Sequence, residues 1–228
     1  MKTKILFYCL FLILIPAQSI FAQNSLVGFG GGYAYLDNET YFTQDPNGGF
    51  RSPLGLRNSY SINTRIKYIK PKLPFKIRMG LDFISANNNT SFMGVRSWVD
   101  SHFTNMHIDA NQNIYSASFG IESPVIKSIV TPYFSLGILA NFFQETKVKI
   151  KPEPEEYYPS DDLNFDNNLR FGISTGIGFE YQLLKAFLVD ISIDYKFMNL
   201  MGKSNNLSYL KEENFNTLSI VCVAYYDL

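Results

Sequence analysis

This chain of 228 residues has two histidines, His102 and His107, and both fall in one polar stretch between Ser85 and Gln112. Ser101 and Thr104 beside them carry hydroxyls of the kind a hydrolase uses as nucleophile. Asp100 and Asp109 are acids able to orient a histidine base. Acyl transfer needs such groups within hydrogen-bond reach of one another. The pattern is short and lies in a stretch that reads as a loop, and patterns of this length arise by accident. The expectation is two solvated loop histidines, with an enzyme acting on lipid at a membrane rim as the alternative. Asp162, Asn164 and Asp166 are spaced like the first ligands of a calcium loop. Asn167 stands where that loop needs glycine, and Ile173 where it needs its closing glutamate, so the pattern fails. With Glu153, Glu155, Glu156 and Asp161 these residues read as a solvated acidic loop. Lys147, Lys149 and Lys151 alternate just before it, which suits a protruding strand kept soluble or a contact with lipid phosphates. No catalytic residue, cofactor or metal is expected.

A larger set of ionisable residues sits inside strand-like stretches. The bases are Arg65, Lys67, Lys76, Arg78, Arg170 and Lys196, and the acids are Asp82, Glu122, Glu180, Asp190 and Asp194. Each occupies the small or polar phase of its stretch. Such near balance suits a closed space, where charges must pair or be hydrated. These residues are predicted to form a salt-bridged network that fills a barrel lumen and fixes register. A narrow ion pathway through the same residues is the alternative.

Positioning them falls to eight stretches with period-two alternation, the signature of strands. In the seventh, Phe187, Val189, Ile191, Ile193, Tyr195 and Phe197 share one face, and Asp190, Ser192, Asp194 and Lys196 the other. The rest lie near Leu26–Leu36, Asn58–Ile69, Phe75–Phe83, Tyr115–Glu122, Tyr133–Phe142, Leu169–Tyr181 and Phe215–Leu228. In the last, Leu218, Ile220, Cys222, Ala224, Tyr226 and Leu228 are taken as the outer face. Links alternate long and short, with long ones near Ser85–Gln112, Gln144–Asn167 and Asn199–Asn214. Short turns on one side and long loops on the other mark transmembrane barrels. A ten-strand version would need an extra hairpin from Phe92 to Val99.

Which face is outside follows from bulk. The polar phase is rich in small residues, among them Gly28, Gly30, Gly32, Ser116, Ser118, Gly120, Gly172, Ser174, Gly176 and Gly178. Small residues suit the interior of a narrow barrel. The opposite phase carries Phe or Tyr on nearly every strand, which suits lipid and its interfaces. The prediction is an all-β, eight-stranded, antiparallel up-and-down transmembrane β-barrel. Its lumen is too narrow for a porin-sized channel.

The start of the chain gives the location. Lys2 and Lys4 precede an apolar run from Ile5 to Ile15, and Ile20-Phe21-Ala22 supplies a small residue for cleavage. This is the layout of a secretory signal peptide over residues 1–22, leaving a barrel domain over residues 23–228. Removing the two lysines leaves 18 basic against 20 acidic residues, so nothing favours nucleic acid. Cys222 is the one mature cysteine, so no internal disulfide can form. The expected site is the outer membrane of a Gram-negative bacterium, with both termini periplasmic.

Ser19-Ile20-Phe21-Ala22-Gln23, Val27-Gly28-Phe29-Gly30-Gly31-Gly32-Tyr33 and Pro132-Tyr133-Phe134-Ser135-Leu136-Gly137 carry a resemblance. They resemble the small outer-membrane barrels of Bacteroidetes-type bacteria, the porin-family or PorT-like barrels, similar in architecture to OmpA and OmpX barrels. The resemblance implies a monomeric barrel of the outer membrane and no reaction, with roles that reach as far as support of secretion. The expected function is a non-catalytic one in membrane integrity, adhesion or secretion support, with a narrow small-solute channel as a further alternative. The implied partners are outer-membrane lipid and lipopolysaccharide, the barrel-assembly machinery and a protein at the outer loops. Ser101-His102-Phe103-Thr104-Asn105 is similar to the His-x-Ser-Asn stretch of outer-membrane lipid A deacylases, with threonine in place of serine. The ending Tyr225-Tyr226-Asp227-Leu228 departs from the aromatic final residue such barrels commonly carry.

Overall fold

The computed structural model describes residues 24–37, 42–44, 51–52, 56–70, 72–88, 91–96, 103–126, 128–144, 146–153, 161–165, 168–203, 210–212 and 214–228. The expected signal peptide lies outside them. The strands in chain order are β1 (Ser25–Asp37), β2 (Phe42–Gln44), β3 (Arg51–Ser52), β4 (Leu56–Tyr68), β5 (Lys76–Asn88), β6 (Ser91–Arg96) and β7 (Phe103–Pro124). They continue with β8 (Val130–Phe143), β9 (Thr146–Glu153), β10 (Asp161–Phe165), β11 (Asn168–Leu184), β12 (Phe187–Met201), β13 (Leu210–Glu212) and β14 (Asn216–Asp227).

Eight of them close a barrel in the order β1, β4, β5, β7, β8, β11, β12, β14 and back to β1, every pair antiparallel. The closing seam pairs Leu26 with Asp227 through Asp37 with Asn216. The eight predicted strands are these eight, and their faces fall as the alternation indicates. Phe29 is 65% exposed, Tyr60 72%, Phe134 61% and Ile138 62%, while Asn63, Lys67, Asn141 and Asp194 are fully buried. Polar inside and apolar outside is the reverse of a soluble barrel. It requires lipid around the wall, where closure leaves no backbone group unpaired.

The predicted long links hold further strands, which corrects the reading of them as loops. β7 runs unbroken above the wall, and β6 pairs with its upper part on one side and β9 on the other. β10 then adds to β9, making an outer four-stranded sheet. Of the Phe92–Val99 region, Phe92 to Arg96 belong to β6, which pairs with β7 above the barrel, and the rest lies outside the described residues. A second small sheet, β13–β2–β3, joins the first and last outer links.

The handover to the outer sheet shifts register by one residue on both sides of β7. Asn111 faces Asn87 on β5, but Ile108 faces Ser91 on β6. Ile114 faces Phe143 on β8, but Asn111 faces Lys147 on β9. One extra residue in a strand exchanges its two faces. Lys147 and Lys149 therefore share rows with Asn111 and Asp109 of β7 and with Asn164 and Asp162 of β10. The alternate rows hold Val148, Ala110 and Leu163, and Ile150 with Ile108.

Candidate functional site

The lumen has two layers. In the lower layer, near the short turns, Lys67 of β4 is fully buried and its ammonium lies 2.8 Å from Glu122 of β7, 2.8 Å from Glu180 of β11 and 2.5 Å from Asp190 of β12. The same nitrogen stands 4.9 Å from the ring centroid of Tyr133 on β8 and 4.7 Å from that of Tyr225 on β14. One cation thus joins six wall strands across the lumen. Both rings depend on glycines of the facing strands. A Cβ at Gly178 would lie 2.5 Å from the Tyr133 oxygen, and one at Gly28 would lie 2.6 Å from the Tyr225 ring. Tyr133 also donates a hydrogen bond of 2.6 Å to Asp190.

The other charges extend this centre. Lys76 pairs with Glu180. Arg78 bridges Glu122 at 3.4 Å and Asp194 at 3.7 Å, and Arg65 meets Asp194 at 3.1 Å. Higher up, Lys196 pairs with Asp82 at 2.7 Å, and Asn63 donates to the same carboxylate at 2.7 Å. Arg65, Lys67, Lys76, Arg78, Asp82, Glu122, Glu180, Asp190, Asp194 and Lys196 of the predicted lumen set thus meet in ion pairs. Arg170, of the same predicted set, is buried above them with its guanidinium 5.1 Å from the Phe143 ring centroid.

Glu122, Glu180 and Asp190 bring three carboxylates within 4.8 Å of one another, a spacing that suits a cation. The Lys67 ammonium contacts all three, so the protein supplies that cation itself. Below it, a cavity of about 510 Å³ opens at the short-turn mouth, lined by Leu26, Ile69, Lys76, Glu180, Lys185 and Asp227 among others.

Sequence reasoning misses the upper layer. Leu36, Ile84, Ile114, Phe143, Met198 and Phe215 all point inward and are at most 2% exposed. The Phe143 and Phe215 rings meet edge to face at 5.2 Å. Asn199 Oδ1 accepts from the Phe215 backbone N–H at 2.6 Å, and Asn141 donates to the Met198 carbonyl at 2.6 Å. This plug caps the charged layer on the side of the long links. The available signal is phase: Ile84, Ile114, Phe143 and Met198 continue the inward phase just past the predicted strand ends.

Of the chemical groups of the second long link, Thr104, His107 and Asp109 lie among the described residues. His102, Ser101 and Asp100 lie outside the described residues. Thr104 and His107 both belong to β7 and fall in alternate rows, opposite Val95 and Phe92 of β6. Asp162 and Asn164 of the calcium-like spacing lie in β10, and Asp166 is outside the described residues.

No family model matches this chain, and no curated protein matches it. Solved structures do. A major outer membrane protein from Thermus thermophilus is 10% identical, with 89% of this chain and 99% of that one covered and a TM-score of 0.51. Neisserial surface protein A is 12% identical, over 90% of this chain and 97% of that one, with a TM-score of 0.48. Ail, the attachment invasion locus protein of Yersinia pestis, is 15% identical over 90% and 97%, with a TM-score of 0.44. At such identities the likeness is one of fold. The wall topology, the apolar exterior and the Thermus comparison agree on an eight-stranded transmembrane β-barrel, built like the small barrels of outer membranes.

Proposed function

We propose that this chain is a non-catalytic barrel of the outer membrane of a Gram-negative bacterium, of the Bacteroidetes porin-family or PorT-like kind, with both termini periplasmic. Its role lies in adhesion, membrane integrity or support of secretion, and the outer sheets carry it. The observation behind this reading is the double filling of the lumen. A paired charge layer lies below an apolar plug, and eight strands leave little more room than side chains occupy. What remains available to partners is the sheet raised above the wall on β7. The working form is a monomer set in lipid and lipopolysaccharide by the barrel-assembly machinery, with a protein partner at the outer links.

Planar-bilayer recording tests the first half. The expected result is no large, steady conductance, and porin-scale current would overturn the sealed-lumen reading. Mass spectrometry of lipid A tests the second. Cells with and without the protein should give the same acyl pattern. Loss of an acyl chain with the wild type, and not with His102→Ala, would make the chain an enzyme.

A further inference from the structure

At the far side of the outer sheet, β10 pairs with β9 along one edge and, among the described residues, with no strand along the other. Such an edge is a row of backbone donors and acceptors that templates the addition of another strand. The strand it would accept can be read from the one β10 already holds. β9 begins Thr146-Lys147-Val148-Lys149-Ile150-Lys151. Register sets Asn164 opposite Lys147, Leu163 opposite Val148, Asp162 opposite Lys149 and Asp161 opposite Ile150.

Successive residues of a strand alternate between the faces of the sheet, not between its edges. The rows that meet β9 on one edge are therefore the rows a new strand would meet on the other. Opposite charges across a ladder stabilise a pair, and like charges destabilise it. β10 contains Asp161 and Asp162 and no base, and the sequence around it adds Glu153, Glu155, Glu156 and Asp166. The β9 of a second copy is no candidate, because β7 and β10 already occupy both its edges. The opposite end of the sheet, β6, reads Ser91-Phe92-Met93-Gly94-Val95-Arg96 and has no comparable charge rule.

We propose that the vacant edge of β10 binds an extended polypeptide segment in which basic and apolar residues alternate, added as a fifth strand of the outer sheet. The inference rests on the reading that the outer sheet is the working part of the molecule. It adds the chemistry of the partner.

The test uses the full mature chain in nanodiscs of zwitterionic lipid and three labelled peptides, followed by fluorescence polarisation. One peptide alternates lysine with valine and isoleucine, and one alternates glutamate with the same residues. The third has the composition of the first with its lysines in one block. The alternating lysine peptide should bind, and the other two should not. In the swap variant Asp109→Lys/Lys149→Asp/Asp162→Lys both cross-strand pairs of position 149 keep opposite charges, while the row that position 162 offers at the vacant edge changes sign. Preference should then move from the lysine to the glutamate peptide by roughly tenfold, since the cross-strand charge terms reverse. Retained heat-modifiable gel mobility shows that the variant is folded.

Equal binding of the blocked peptide, or an unchanged preference in the swap variant, overturns the proposal. Labelling of Asn164→Cys on intact cells, in a Cys222→Ala background, separates the two readings. If an impermeant maleimide labels it and no peptide binds, the strand-addition inference falls and the outer-platform reading stands. If the maleimide cannot reach it, both fall.

Discussion

The two layers of the lumen fill the same narrow space by opposite means. The lower layer crosses it with charges. Lys67 alone reaches three carboxylates and two rings on five other strands, so its geometry is satisfied at one register only. The upper layer crosses it with Leu36, Ile84, Ile114, Phe143, Met198 and Phe215, which need volume and little direction. An error in the first leaves a buried charge without a partner, and an error in the second leaves a gap. The difference assigns the layers separate duties. The charges specify how the strands pair, and the plug keeps water from reaching those charges through the mouth on the side of the long links.

Substitutions can break or sharpen that contrast. Lys67→Ala should have the largest effect. It leaves Glu122, Glu180 and Asp190 facing one another, and removal of one partner from a buried ion pair costs about 3–5 kcal/mol. Denaturant unfolding in micelles, followed by heat-modified mobility, measures it. A loss under about 1 kcal/mol would mean that water already neutralises the lower layer, contrary to the pairing seen.

Met198→Ala comes next, at about 2–4 kcal/mol for a buried methionine in a packed layer. It carries a second readout. The single variants should stay electrically silent because each leaves the other layer whole. Small current steps should need Lys67→Ala and Met198→Ala together. Steps from Met198→Ala alone would make the plug the sole seal.

The smallest effects compare one methylene inside with one outside. Ile84→Val, in the plug, should cost about 0.5–1.5 kcal/mol. Ile138→Val, on the lipid face and 62% exposed, should stay within about 0.5 kcal/mol, since lipid fills the space. Equal costs would mean that the outer face is packed against protein.

The same contrast explains what can be read from the chain. Where the interior is polar and the exterior apolar, as from Asp190 to Lys196, alternation is clean and both faces are plain. In the plug the interior becomes as apolar as the exterior. Phe83-Ile84, Ile114-Tyr115, Phe142-Phe143 and Phe197-Met198 are neighbours on opposite faces, and there the period-two signal vanishes. Strand ends read from alternation therefore fall too early, and the plug reads as links. The outer sheet is obscured differently. The extra residue between Asn87 and Ser91, and another between Phe143 and Lys147, exchanges the faces mid-strand, so no single phase spans the join. The acidic stretch after Glu153 then reads as solvated loop, although Asp161–Phe165 within it forms β10.

Because neighbours on both sides break at the join, β7 alone among the described strands belongs to both the wall and the outer sheet. It is a mast stepped into the membrane. A pull on the outer sheet along β7 would travel down that strand and shear its ladders with β5 and β8. Every hydrogen bond of those ladders would share the load at once, where a hairpin peeled from its end would lose them singly. Force spectroscopy should show the sheet giving way at lower force than the wall, with β7 still rooted. A load hung on such a sheet would be shed before the barrel left the membrane.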